Sequence, residues 1–99
     1  MSAYFVFHNR IQNAKQMQEY VAKALPTLAP YKHEILVFEA NSTVIEGSTN
    51  LPRTIVVKFD SREAAMAWYN SPEYQAVLPM RLAATEGFAV LVDGFVPAG

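Results

Sequence analysis

The chain has 99 residues, 52% hydrophobic and 17% charged, which suits one domain over residues 1–99 burying about 60–65% of its unfolded surface. Eight basic and nine acidic residues give a formal charge of −1, with no run of either sign, which argues against nucleic acid or an anionic membrane as partner. No cysteine is present, so disulfides, thiolate metal sites and cysteine nucleophiles are excluded together. The apolar run in MSAYFVFHNR is too short for a signal peptide or a membrane span, so a soluble cytoplasmic protein is expected.

Ala3 to His8 is a short apolar, aromatic run that the polar cluster His8-Asn9-Arg10 closes, which predicts a first strand and its exit. Its two faces, Ala3, Phe5, Phe7 and Tyr4, Val6, His8, both carry large apolar groups. From Asn13 the period changes. Met17, Tyr20, Val21, Ala24, Leu25 and Leu28 form one stripe of an amphipathic helix, and Pro26 predicts a kink or a tighter final turn running to about Tyr31. His33 to Ala40 reads as a second strand and Asn41 to Gly47 as a turn plus a short continuation or hairpin arm. Gly47 to Pro52 is a loop. Arg53 to Asp60 predicts a buried third strand, with Ile55, Val57 and Phe59 on one face and Val56 and Lys58 on the wetter one.

Ser61 to Thr85 predicts two helices in tandem. Ser61 can cap the first; Ser71 followed by Pro72 places an acceptor at the cap and a fixed φ at the first helical position of the second. Gly87 is read as a C-cap, Phe88 to Phe95 as a final strand and Val96 to Gly99 as a frayed tail. The order β-α-β-β-α-β, with the second helix in two pieces, is the ferredoxin-like α+β arrangement: a four-stranded antiparallel sheet with helices on one face. Such a sheet leaves its other face open, and several strands here are apolar at both parities. A homodimer packed through that open face is therefore expected.

A run of motifs points to a family. Pro52-Arg53 opens an apolar strand, Phe59-Asp60-Ser61-Arg62-Glu63-Ala64-Ala65 follows, then Ala67-Trp68-Tyr69-Asn70-Ser71-Pro72-Glu73-Tyr74-Gln75, Arg81 and a closing Val90-Leu91-Val92-Asp93-Gly94. Over Pro52 to Gly94 the chain resembles domain of unknown function 1330. His8 stands where the family pattern has an acidic residue, and Lys32-His33 replaces a glycine pair. The resemblance implies a dimeric α/β barrel, in which two ferredoxin-like protomers join their sheets. That superfamily includes cofactor-free oxygenases, haem-degrading enzymes, isomerases and ligand sensors, so the resemblance implies no single reaction.

Arg81 is the most informative candidate for catalysis or ligand binding. It shares a helical stripe with Tyr74, Val77, Leu78, Leu82 and Thr85, and a guanidinium on an apolar face needs a partner. It can hold a ligand carboxylate or enolate, or form a structural ion pair or reach water along its stem. Arg53 can cap the same pocket or the dimer seam, or be an ordinary salt bridge. Trp68, Tyr69 and Tyr74 offer aromatic surface with hydrogen-bonding tips, although Trp68 also fits a core position. His8 is a second catalytic candidate, and Tyr4, on the same strand face, is a further ligand-binding candidate; His8 and His33 are the only imidazoles. They lack metal-ligand spacing, so no zinc or iron site built from a motif is expected; no cofactor is expected either, with a single-histidine haem ligand as the alternative left open. Ser61 and Ser71 are caps, with no nucleophile motif around them.

Two readings compete. One is a pocket between sheet and helices for a small aromatic or carboxylate-bearing molecule, in a cofactor-independent enzyme of oxygenase or isomerase type. The other is a dimeric binding or assembly module without chemistry of its own.

Overall fold

A computed structural model describes residues 1–97; Ala98 and Gly99, the end of the expected tail, lie outside the described residues. Strands β1 (Ala3–Ile11), β2 (His33–Glu39), β3 (Arg53–Phe59) and β4 (Thr85–Asp93) form one sheet in the order β2-β3-β1-β4, and every neighbouring pair is antiparallel. Helices α1 (Ala14–Ala24), α2 (Arg62–Tyr69) and α3 (Pro72–Ala84) cover one face. This is the ferredoxin-like α+β fold.

Period-two alternation in β1 sorts the molecule into layers. Phe5, Phe7 and Asn9 are buried under the helices, while Tyr4, Val6 and His8 stand on the open face. The core is aromatic. Trp68 packs against Phe5 and Phe59 with ring centroids 5.6 and 5.5 Å apart, and against Tyr74 at 4.1 Å. Its indole N–H donates to Thr27 Oγ1 at 3.0 Å, so the polar end of this buried ring is satisfied.

Both helix caps of the tandem pair form. Ser61 Oγ accepts from the Ala64 N–H and Ser71 Oγ from the Tyr74 N–H, at 3.0 and 3.2 Å. Asn13 caps α1 in the same manner. Pro26 turns the end of α1 into a 3-10 helix, Leu25–Leu28, the tighter turn its missing N–H requires.

Four expectations need correction. β1 does not end at His8: the polar cluster stays in the strand because Asn9 and Arg10 pair with Gly87 and Glu86 of β4. The stretch from Ala40 to Pro52 contains no strand, so the hairpin arm is absent; the Ser42 N–H donates to the Pro52 carbonyl and closes this segment as a loop. Leu82 leaves the buried stripe of α3 and is exposed. Gly87 is no C-cap. Thr85 caps α3, and Gly87 lies in β4 opposite Asn9 with φ +146°.

That glycine has a steric cause. A Cβ on Gly87 would collide with the His8 carbonyl oxygen and lie 2.6 Å from Asn9 Cα. Gly87→Ala is expected to cost at least about 2 kcal/mol, from backbone strain and overpacking together. A fall in the urea midpoint at unchanged m-value would show it.

Candidate functional site

Between α1 and the sheet lies a cavity of about 60 Å³, walled by the α1 stripe, by Phe7, Ile55 and Val57 of the sheet, and by the face of Trp68. Its polar lining is brief: Asn9, Tyr20, Arg53 and Arg81. Among the described residues, no carboxylate, imidazole or lysine lines it.

Each polar group is placed by its element. Asn9 and Arg53 are directly opposed in the β1–β3 register, and Gly87 faces Asn9 from the other side, so the row Arg53–Asn9–Gly87 crosses the helix face of the sheet. Arg81 comes down from the last turn of α3, with its guanidinium carbon 5.2 Å from the Phe7 ring centre. Arg53 lies similarly over Phe38, at 5.0 Å. Phe38 reaches this wall because of a register shift between Ile35 and Val37. The extra residue puts Ile35 opposite Val57 and Phe38 opposite Ile55, both on the helix side.

The two arginines are 8% and 7% exposed, and neither forms a salt bridge among the described residues. The ion pairs are elsewhere, at the surface: Arg10 with Glu86, Lys32 with Asp60 and Arg62 with Asp93. Taking a guanidinium from water without an anion is costly, and a ring face offsets only about 0.5–2 kcal/mol of that. Burial lowers the Arg53 pKa, with Tyr20 opposing. At Arg81 burial also acts downward, but Tyr74, Tyr20 and Tyr69 outweigh it and the pKa is raised. Both side chains remain cations.

Arg81 Nε donates to the Tyr74 hydroxyl at 3.3 Å, and the Tyr74 and Tyr20 hydroxyls are 2.7 Å apart. An oxygen that accepts from Arg81 can pass its own proton toward Tyr20, whose proton is then free for the cavity. Burial, reinforced by Tyr74 and opposed by Arg81, pushes the Tyr20 phenol well above its ordinary pKa. It stays neutral and serves as a donor. Asn9 completes the set. The residue is 2% exposed, yet Oδ1 has no hydrogen-bond partner among the described residues.

The fold thus gathers Arg81, Arg53 and Trp68 around one cavity, with Tyr74 directly behind it. It puts Tyr4 and His8 on the opposite face of the sheet. There His8 Nδ1 lies 3.2 Å from Thr54 Oγ1, itself 2.6 Å from Ser42 Oγ. His33 is at the end of edge strand β2, bonded to the Tyr31 carbonyl. Sequence reasoning missed Asn9, taken for a strand exit, and Tyr20, counted among apolar stripe residues. A polar residue continuing the buried parity of Phe5 and Phe7 was the available signal for Asn9.

Two opposite stability effects follow. Tyr74→Phe leaves Tyr20 and Arg81 short of a partner and is expected to cost about 1–3 kcal/mol in the ligand-free protein. Asn9→Leu removes an unpaired buried acceptor and is expected to raise the melting temperature by about 4–8 °C, the equivalent of about 1 kcal/mol. Differential scanning calorimetry of the two variants would read both signs.

Comparison with known proteins agrees with the fold. No curated protein matches the sequence. A protein of unknown function from Rhodopseudomonas palustris superposes with a TM-score of 0.81 at 13% identity, over 97% of this chain and 84% of that one. A dimeric ferredoxin-like protein of unknown function from Jannaschia has a TM-score of 0.67 at 18% identity, covering 97% of this chain and all 100% of its own. SnoaB, a cofactor-independent oxygenase from Streptomyces nogalater, has a TM-score of 0.65 at 10% identity, over 97% and 95% of the two chains. Identities this low speak for the fold alone. The family described as domain of unknown function DUF1330 matches residues 2–95, nearly the whole sequence, and the chain belongs to it.

Proposed function

We propose that the protein binds a small carboxylate-bearing molecule with an aromatic or apolar body, held between sheet and helices by Arg81 and Arg53. The observation that carries this reading is the pair of buried guanidiniums facing one cavity without a carboxylate. A planar ligand anion would supply the missing charge and accept the fork of donors. Tyr20 adds a neutral donor, and the apolar wall of Met17, Val21 and Phe38, which the cavity shares with the cleft beside it, suits the body of the ligand.

Binding is better supported than catalysis. The likeness to SnoaB, a cofactor-independent oxygenase, suggests oxygenation without a cofactor, and two cations could stabilise an anionic substrate. The cavity nevertheless lacks a group that titrates near neutral pH, since His8 is on the other face of the sheet and the Tyr20 phenol is pushed upward. A substrate would have to bring its own acidity.

The binding unit is a homodimer in this reading. Val90, Val6, Val56 and Val37 stand side by side across all four strands of the open face. One row beside it holds Val92, Tyr4, Lys58 and Glu34, and the other Phe88, His8, Thr54 and Glu39. An apolar stripe with polar groups toward one edge is what a self-complementary two-fold contact needs. The dimeric description of the Jannaschia protein supports it.

Trp68 is the single tryptophan and lines the cavity, so its fluorescence reports occupancy. Aryl carboxylates are expected to give a saturable change that the matching primary amides do not give, and Arg81→Ala to weaken binding roughly 10- to 100-fold. Amides binding as well as acids, or a flat response across the acids, would refute the reading. In sedimentation equilibrium at micromolar concentration, the wild type should run at twice 11.0 kDa and Val90→Glu as the monomer.

A further inference from the structure

The cavity is too small for a whole aryl acid. A water needs about 10–15 Å³ in such a space and a benzene ring about 150 Å³, whereas this cavity offers about 60 Å³. That is room for a carboxylate and the carbinol group beside it. Next to it runs a wider cleft of about 510 Å³ between α1 and β2, lined by apolar groups such as Ile11, Ala14, Ala22 and Ala40. Cavity and cleft share Met17, Val21, Phe38 and Arg53 as a common wall. The inner space is therefore a head-group site and the outer cleft a place for an apolar body, with the Phe38–Arg53 stack at the boundary.

The polar groups of the inner space are unequal in what they ask of a ligand. Arg53, Arg81 and Tyr20 offer donors, which an anionic oxygen satisfies. Asn9 Oδ1 is different: it is a buried acceptor with no partner, set in the strand row beside Arg53. Leaving such an atom unpaired costs about 1–3 kcal/mol. Asn9 itself lines the inner space. A bare carboxylate meets the donors and leaves Asn9 unpaired. A carboxylate with a hydroxyl on the adjacent carbon meets both.

Resting on the carboxylate reading above, we propose that the ligand is an α-hydroxy acid: its carboxylate lies between Arg53 and Arg81, its hydroxyl donates to Asn9 Oδ1, and its apolar body follows the α1–β2 cleft. Mandelate and phenylacetate, which differ only in that hydroxyl, make the test. With the wild-type dimer, isothermal titration should show mandelate binding about tenfold or more tightly than phenylacetate, the gain from satisfying one buried acceptor. In Asn9→Ala the two acids should bind alike, at the phenylacetate affinity. Equal affinity of the two acids for the wild type would overturn the hydroxyl assignment and leave the carboxylate site standing. Failure of both acids to bind would overturn the carboxylate reading as well. A preference for mandelate that persists in Asn9→Ala would assign the hydroxyl to another residue and overturn the role of Asn9.

Discussion

Everything in this molecule is divided by the alternation of side chains along β1, the strand that pairs with both β3 and β4. Because successive residues point to opposite faces, Phe5, Phe7 and Asn9 belong to the helix-covered layer and Tyr4, Val6 and His8 to the open one. A one-residue slip would exchange the two sets and empty the cavity of Asn9. The register is held by complementary bulk. Gly87 is the residue that fits opposite Asn9, and the aromatic core under Trp68 locks Phe5 in place.

On the covered side, the cost of burying two guanidiniums is borne by a core of stacked rings. Phe5, Phe59, Trp68 and Tyr74 supply the apolar burial, and Tyr74 also gives Arg81 its hydrogen bond. A protein under selection for stability alone would place a methionine or leucine at such a site, since an apolar residue of similar volume is often neutral or better. Retaining two cations, an unpaired amide oxygen and a neutral phenol around one small cavity is the kind of local inconsistency on which the proposed ligand site rests. The open face shows a second such inconsistency in its row of partly exposed and exposed valines, which the proposed dimer would cover without involving the cavity.

Much of the architecture was legible because its signals are local. Ser61, Ser71-Pro72 and Pro26 act within a turn of their own position, so helix starts and the 3-10 ending could be read directly. The pairing of Arg81 with Tyr74, seven residues apart on one helix, was visible by spacing. What escaped depends on the neighbouring strands. Asn9 stays in β1 because β4 continues beside it, Gly87 is a strand glycine because of what it faces, and Phe38 reaches the arginine through a register shift at Leu36. Tyr20 was hidden for a different reason: its ring belongs to the apolar stripe and only its hydroxyl belongs to the site. The sequence could name Tyr4 and His8 as candidates, but their separation from Arg81 follows from strand parity relative to α3.

The central claim, that Arg53 and Arg81 wait for a ligand anion, is tested most directly by NMR of the arginine side-chain Nε–H groups during titration with an aryl carboxylate. The account predicts that the Arg53 and Arg81 signals shift and saturate together, while those of Arg10 and Arg62, already paired with surface carboxylates, stay in place. Movement of the surface arginines alone, with Arg53 and Arg81 unmoved at saturating acid, would contradict it.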